Sequence, residues 1–122
     1  MEDDPAQLAD ARGLLEALGC GVTAVESAEA ALEQVERTRF DVILTDNILP
    51  GMTGFQALPR LRASGASVIV MSSQHGPETE RDAHMLGAVA FIKKPLVIKE
   101  LSRLIHQAPD RGASPSANAD QP

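Results

Sequence analysis

Polar side chains with the chemistry of phosphate and cation binding lie at the N-terminus and directly after apolar, β-branched runs of the sequence. They are the acidic residues Glu2, Asp3 and Asp4, then Asp46, the pair Ser72 and Ser73, and the pair Lys93 and Lys94. Clustered carboxylates without His or Cys neighbours suit a hard cation such as Mg²⁺. Lysine and hydroxyl groups can hold phosphoryl oxygens, and an aspartate can itself attack phosphorus to give an acyl phosphate. If the fold brings these groups together, the sequence predicts a Mg²⁺-dependent phospho-aspartate site.

The elements that must position these residues alternate between strands and amphipathic helices. Helical spacing is present at about 6–18, 28–35, 55–62, 78–86 and 97–107, and strand-like runs at 22–25 (VTAV), 41–45 (DVILT), 67–71 (SVIVM) and 88–92 (AVAFI). Buried strands joined by single helices predict βαβ units, hence a parallel sheet with helices on both faces. In such sheets the functional groups lie at the carboxyl ends of the strands. Met71 and Met85 are both expected in the core.

Composition excludes several classes of protein. A chain of 122 residues matches one domain on a prior of about 150 residues per domain, and we place that domain at 1–107 and a disordered, Pro-rich tail at 108–122. A net charge of −6 and only 2% aromatic residues argue against nucleic-acid binding. Cys20 is the only cysteine, which excludes disulfides and multi-Cys zinc sites. Without a membrane span or signal peptide, we expect a cytoplasmic protein that is a monomer or weak dimer.

Four motifs, in order, resemble the receiver domain of bacterial two-component response regulators. They are EDDP (2–5), DVILTDNILPGMTG (41–54), VIVMSS (68–73) and AFIKKP (90–95). The resemblance implies an α/β fold of the flavodoxin-like kind, with a doubly wound parallel sheet in the order 2-1-3-4-5. It also implies a signalling switch that is not an enzyme beyond its own phosphorylation and dephosphorylation. The expected partners are a sensor histidine kinase or histidine phosphotransfer protein and a downstream protein target.

The same resemblance implies a role for individual residues. Asp46 would accept the phosphoryl group, and Lys94 and Ser72 would bind its oxygens. Mg²⁺ would be held by Asp3, Asp46 and the backbone carbonyl of Ile48, with Glu2 as the second, indirect acid. Ser72 and Phe91 would form the conformational switch, and Pro95 would follow a cis peptide bond.

Two features depart from the family's pattern. Only Met1 precedes the acidic residues, where the family has a first strand of four or five apolar residues. We therefore expect strand 1 to be largely missing and Asp3 to lie on a frayed terminus, and we favour a start codon further upstream over a truncated product. Pro59 should kink or shorten the third helix, because it removes a backbone hydrogen bond to the Phe55 carbonyl.

Other functions fit the same residues less well. A degenerate receiver that acts only as a protein-interaction module remains the main alternative, favoured by the missing strand and opposed by the intact Asp46, Ser72 and Lys94. A phosphatase of the haloacid-dehalogenase type needs a second Asp two residues after the first, and Ile48 occupies that position. A flavin-binding domain would need a phosphate-cradling loop in place of the acidic EDDP.

Overall fold

The computed structural model describes residues 1–47, 51–73 and 76–107, and within them three short strands lie among five helices. In chain order the elements are α1 (Pro5–Ala17), α2 (Ala28–Arg37), β1 (Val42–Asp46), α3 (Gly54–Ala63), β2 (Ser67–Ser72), α4 (Pro77–Met85), β3 (Ala90–Lys93) and α5 (Ile98–Gln107). The apolar runs at 41–45, 67–71 and 88–92 thus form strands within two residues of the predicted positions. The tail proposed at 108–122 lies outside the described residues.

Local sequence signals determine where several helices begin. The Asp4 side chain accepts hydrogen bonds from the backbone N–H groups at positions 6 and 7, and Pro5 occupies the first helical turn of α1. Thr53 and Gln56 form a reciprocal capping box at the start of α3. Helix α3 continues past Pro59 to Ala63, so Pro59 does not end the helix, although a kink or shortening was expected there. Pro59 lies on the exposed face, where water can reach the backbone next to it.

The three strands form a parallel sheet in the order β1-β2-β3. All six residues of the middle strand, β2, are buried, which explains its uninterrupted apolar run. The register places Asp46 opposite Met71 and Ser72 opposite Lys93. The polar residues that follow the apolar runs therefore meet at one edge of the sheet.

Helices cover both faces of this sheet, as the alternation of strand side chains requires. One core cluster joins α1 and α5 to the sheet, through Ala11, Leu44, Ile69, Met71, Ile92 and Leu101. The other joins α2, α3 and α4 to the opposite face, through residues that include Ala28, Leu32, Ile43, Leu58, Leu61, Val68, Val70 and Ala83. This arrangement is the doubly wound, flavodoxin-like architecture that the sequence predicted.

The region before β1 differs from the prediction. Residues 22–25, predicted to be a strand, have no regular secondary structure, so the described sheet contains neither of the first two strands of the expected order. Met1 and Glu2 nevertheless lie between this segment and β1. The Met1 amine donates to the Leu44 carbonyl (2.7 Å), the Asp46 N–H donates to the Met1 carbonyl (3.0 Å), and the Glu2 N–H donates to the Val25 carbonyl (3.1 Å). A terminus held by three backbone bonds is not frayed, contrary to our expectation.

A groove lies beside Met1 and Glu2. This edge groove lies between residues 20–25 and β1, has a volume of about 640 Å³, and is lined largely by apolar side chains from α1, β1 and α5. The segment 22–25 makes one described backbone bond on this side, from the Glu2 N–H to the Val25 carbonyl, so its β-branched residues lack the ladder of bonds that forms a strand.

The surface of the last third of the chain also differs from the prediction. Met85, expected in the core, is 77% exposed at the end of α4, whereas Met71 is buried as predicted. Helix α4 is polar on most of its surface and buries only Ala83, so Met85 has no apolar stripe to join. Among the described residues, no helix is both long enough and apolar enough to cross a membrane.

Candidate functional site

The Lys94 ammonium lies at the centre of a cluster of acceptors at the carboxyl edge of the sheet. Lys94 Nζ donates hydrogen bonds to Oε1 of Glu2 (2.6 Å), Oε1 of Gln7 (2.6 Å) and Oδ2 of Asp46 (2.9 Å). Asp46 is the last residue of β1, and Lys94 follows β3, two strands away. A hydrogen bond from the Lys94 N–H to the Ser72 carbonyl (2.9 Å) fixes the start of the connecting loop against β2.

The acidic residues of the N-terminus reach the same place. One carboxylate oxygen from each of Glu2, Asp3 and Asp46 lies within 4.8 Å of the other two. Glu2 is almost fully buried and its second oxygen accepts the Asp4 N–H (3.2 Å), whereas Asp3 is exposed. Met1 and Glu2 are held by the backbone bonds to β1 and residue 25 described above. The structure therefore brings together the three carboxylates that the sequence analysis assigned to one site.

The charges of this cluster influence one another strongly. Burial by itself lowers the pKa of Lys94, but hydrogen bonds to Glu2 and Asp46 and the attraction of their charges raise it above its ordinary value. The Lys94 side chain is 14% exposed, so these bonds are shielded from solvent and the lysine stays a cation. Burial lowers the pKa of the nearby Met1 amine to about 6.

The remaining predicted residues surround this cluster. Ser72 is the buried last residue of β2 and Phe91 is a half-buried residue of β3 that packs against the α2–α3–α4 core. The peptide bond between Lys94 and Pro95 is cis. Ile48, expected to provide a backbone carbonyl to the cation, lies outside the described residues.

Two residues that shape the site were missed by the sequence analysis. Gln7, on the first turn of α1, contacts the Lys94 ammonium, and a glutamine at an exposed helical position carries no recognisable signal. Gly54 begins α3 directly against β1, where an added Cβ would collide with the backbone carbonyl of Asp46. The glycine of the sequence GMTGF could have been read as such a close approach.

The donor set fits a divalent cation. Three carboxylates so close together repel one another, and a cation with hard oxygen ligands removes that repulsion. The described residues of the cluster offer neither a sulfur nor an imidazole ligand, which favours Mg²⁺ over Zn²⁺.

Comparison with known proteins decides the family. The sequence profile described as "Response regulator receiver domain" matches residues 1–106. The chain belongs to the receiver-domain family. It is 30% identical to the transcriptional regulatory protein FixJ of Bradyrhizobium diazoefficiens, over 98% of this chain and 59% of that protein. It is 33% identical to the sensory transduction protein RegX3 of Mycolicibacterium smegmatis, over 97% of this chain and 53% of that protein. The receiver domain thus spans little more than half the length of these relatives.

Solved structures agree with this assignment. The receiver domain of a sensor histidine kinase from Pseudomonas aeruginosa, described with a magnesium ion coordinated in its active site cleft, superposes with a TM-score of 0.80 at 27% identity, over 88% of this chain and 92% of that one. A putative response regulator from Chloroflexus aurantiacus superposes with a TM-score of 0.85 at 23% identity, over 91% and 94% of the two chains, which shows the shared fold. The protein is a receiver domain of the type found in two-component phosphorelay signalling.

Proposed function

We propose that this receiver domain accepts a phosphoryl group on Asp46 from a phosphohistidine of a sensor kinase or phosphotransfer protein. The observation that carries the proposal is the contact between the Lys94 ammonium and Asp46 Oδ2, with the carboxylates of Glu2 and Asp3 beside them. A nucleophile, a cation for the phosphoryl oxygens and a set of hard-cation ligands then lie at one edge of the sheet.

In the transfer, a carboxylate oxygen of Asp46 attacks phosphorus in line with the phosphorus–nitrogen bond of the donor. That bond breaks, and the imidazole of the donor leaves with its electron pair. Lys94 neutralises charge on the phosphoryl oxygens, and the Ser72 hydroxyl donates a hydrogen bond to one of them.

Asp3 and Asp46 are the side chains that would hold Mg²⁺, with Glu2 acting indirectly through its neighbours. When bound, the cation supplies positive charge to the phosphoryl oxygens. The exposed position of Asp3 leaves this side of the cluster open to a hydrated ion. The magnesium described in the Pseudomonas aeruginosa receiver domain supports this assignment.

The output surface would lie on the last helices and strand. Inward movement of Ser72 would make room for Phe91, which already packs against the core, and would alter the face formed by α4, β3 and α5. The apolar side chains exposed in this region are Met85, Leu86, Val89, Val97 and Ile98. Such a patch gives a protein partner an apolar surface to contact, which supports signalling through a protein target.

Intact mass after incubation with Mg²⁺ and acetyl phosphate tests the proposal. We expect one phosphoryl adduct on the parent chain and none on Asp46→Asn, whose amide cannot form an acyl phosphate. Asp41→Asn, at an exposed position just before β1, is the matched control and should accept the adduct as the parent does. Absence of an adduct on the parent, or an equal adduct on Asp46→Asn, would contradict the proposal and favour a receiver that acts only as an interaction module.

A further inference from the structure

The Lys94 ammonium has no free donor for a phosphoryl oxygen. An ammonium carries three N–H groups. Lys94 has three acceptors within hydrogen-bond distance, one each from Glu2, Gln7 and Asp46. Because the proposed function requires Lys94 to bind a phosphoryl oxygen, one of these three bonds must be exchanged.

The three acceptors differ in strength. Glu2 and Asp46 provide carboxylates whose side chains are 2% and 12% exposed, and bonds between two charged groups are the stronger kind. Gln7 provides a neutral amide oxygen from an exposed position. Gln7 and Lys94 also line a cavity of about 730 Å³ between α1 and the loop after β3, which Ser73 and Pro95 help to form. The amide is therefore the weakest acceptor, and it belongs to the most exposed of the three side chains.

We propose that Gln7 is a positioning residue that holds the third N–H of Lys94 until a phosphoryl oxygen replaces its amide oxygen. This inference rests on the proposed function of Asp46 and Lys94 and adds a residue to it. Gln7 then competes with the phosphoryl group for Lys94. Removing its oxygen should speed phosphorylation, and giving it a full negative charge should slow phosphorylation.

The test compares Gln7→Met and Gln7→Glu with the parent. The rate of adduct formation on Asp46 is measured at several acetyl phosphate concentrations with saturating Mg²⁺, and the slope of rate against concentration is compared. We expect the slope to rise about two- to fivefold in Gln7→Met, which loses one neutral acceptor. In Gln7→Glu it should fall by about the same factor or more, since charged bonds are stronger.

Two controls separate this role from a structural one. Ala9→Glu adds the same charge to the wall of the same cavity without a contact to Lys94, and its slope should stay near that of the parent. The Mg²⁺ dissociation constant should also stay unchanged in Gln7→Met, whereas a general disturbance of the acidic cluster would change it.

The results that overturn the inference are specific. Equal slopes in all four chains, a fall in both Gln7 variants, or a fall in Ala9→Glu as large as in Gln7→Glu would each show that the contact with Lys94 does not set the rate. A parent chain that forms no adduct would overturn the proposed function itself, and this inference with it.

Discussion

The two halves of the sheet are built differently. From β1 to β3 the strands are paired in register and β2 is buried along its whole length. On the other side of β1, among the described residues, Met1 and Glu2 make the backbone bonds, and the edge groove lies beside them. Asp46, Ser72 and Lys94 come from the well-packed half, whereas Glu2 and Asp3 come from the weakly packed one. The phosphoryl-binding groups therefore lie on or next to paired strands, whereas Glu2 and Asp3, which complete the proposed cation site with Asp46, do not.

The largest expected difference between the halves is in stability. Val68→Ala removes a fully buried side chain of β2 and should lower the free energy of unfolding by about 2–3 kcal/mol, from lost burial and a new cavity. Val22→Ala makes the same chemical change at a half-buried position on the edge groove and should cost less than about 1 kcal/mol. Urea denaturation of the two variants and the parent measures both values.

Similar losses in the two variants would contradict the comparison. They would mean that residues 20–25 are packed as tightly as β2, despite the single backbone bond from Glu2 to Val25. A larger loss in Val22→Ala would reverse the comparison altogether.

The contrast also explains what the sequence could predict. Strands β1, β2 and β3 coincide with apolar runs of the sequence, and the rule that functional groups follow parallel strands placed Asp46, Ser72 and Lys94 at one edge. The run 22–25 has the same residue types but no strand, because the one described backbone bond, from the Glu2 N–H to the Val25 carbonyl, does not make a ladder. Strand formation is decided by partners as much as by propensity.

Side-chain contacts between distant elements were harder to predict. The bond between Gln7 and Lys94 joins residues 87 positions apart, and no local pattern in α1 indicates it. Met85 follows a helical spacing that suggests a core position, but α4 buries little apart from Ala83. In both cases the helix itself was predicted correctly, but the residues that its side chains contact were not.

The acidic cluster offers a second test of the comparison. Asp3→Asn removes one charged oxygen ligand and should raise the Mg²⁺ dissociation constant about tenfold or more, as measured by calorimetric titration. Asp10→Asn, an exposed carboxylate on α1 outside the cluster, is the matched control and should change it little. An equal effect of both substitutions would show that general negative charge attracts the cation, without a contribution specific to Asp3.

The smallest of the expected effects is on the rate of adduct formation, when Ser72 in the well-packed half is substituted. Ser72→Ala removes the hydroxyl proposed to bind a phosphoryl oxygen and should slow adduct formation from acetyl phosphate about tenfold, the value of one hydrogen bond to a charged group. Ser73→Ala, at the exposed next position, should leave the rate unchanged. Ser72→Thr keeps the hydroxyl and should retain most of the parent rate. If Ser72→Ala forms the adduct at the parent rate while Ser73→Ala forms it slowly, Ser73 binds the phosphoryl oxygen. The exposed residue that follows β2 would then serve the chemistry, instead of the buried residue that ends it.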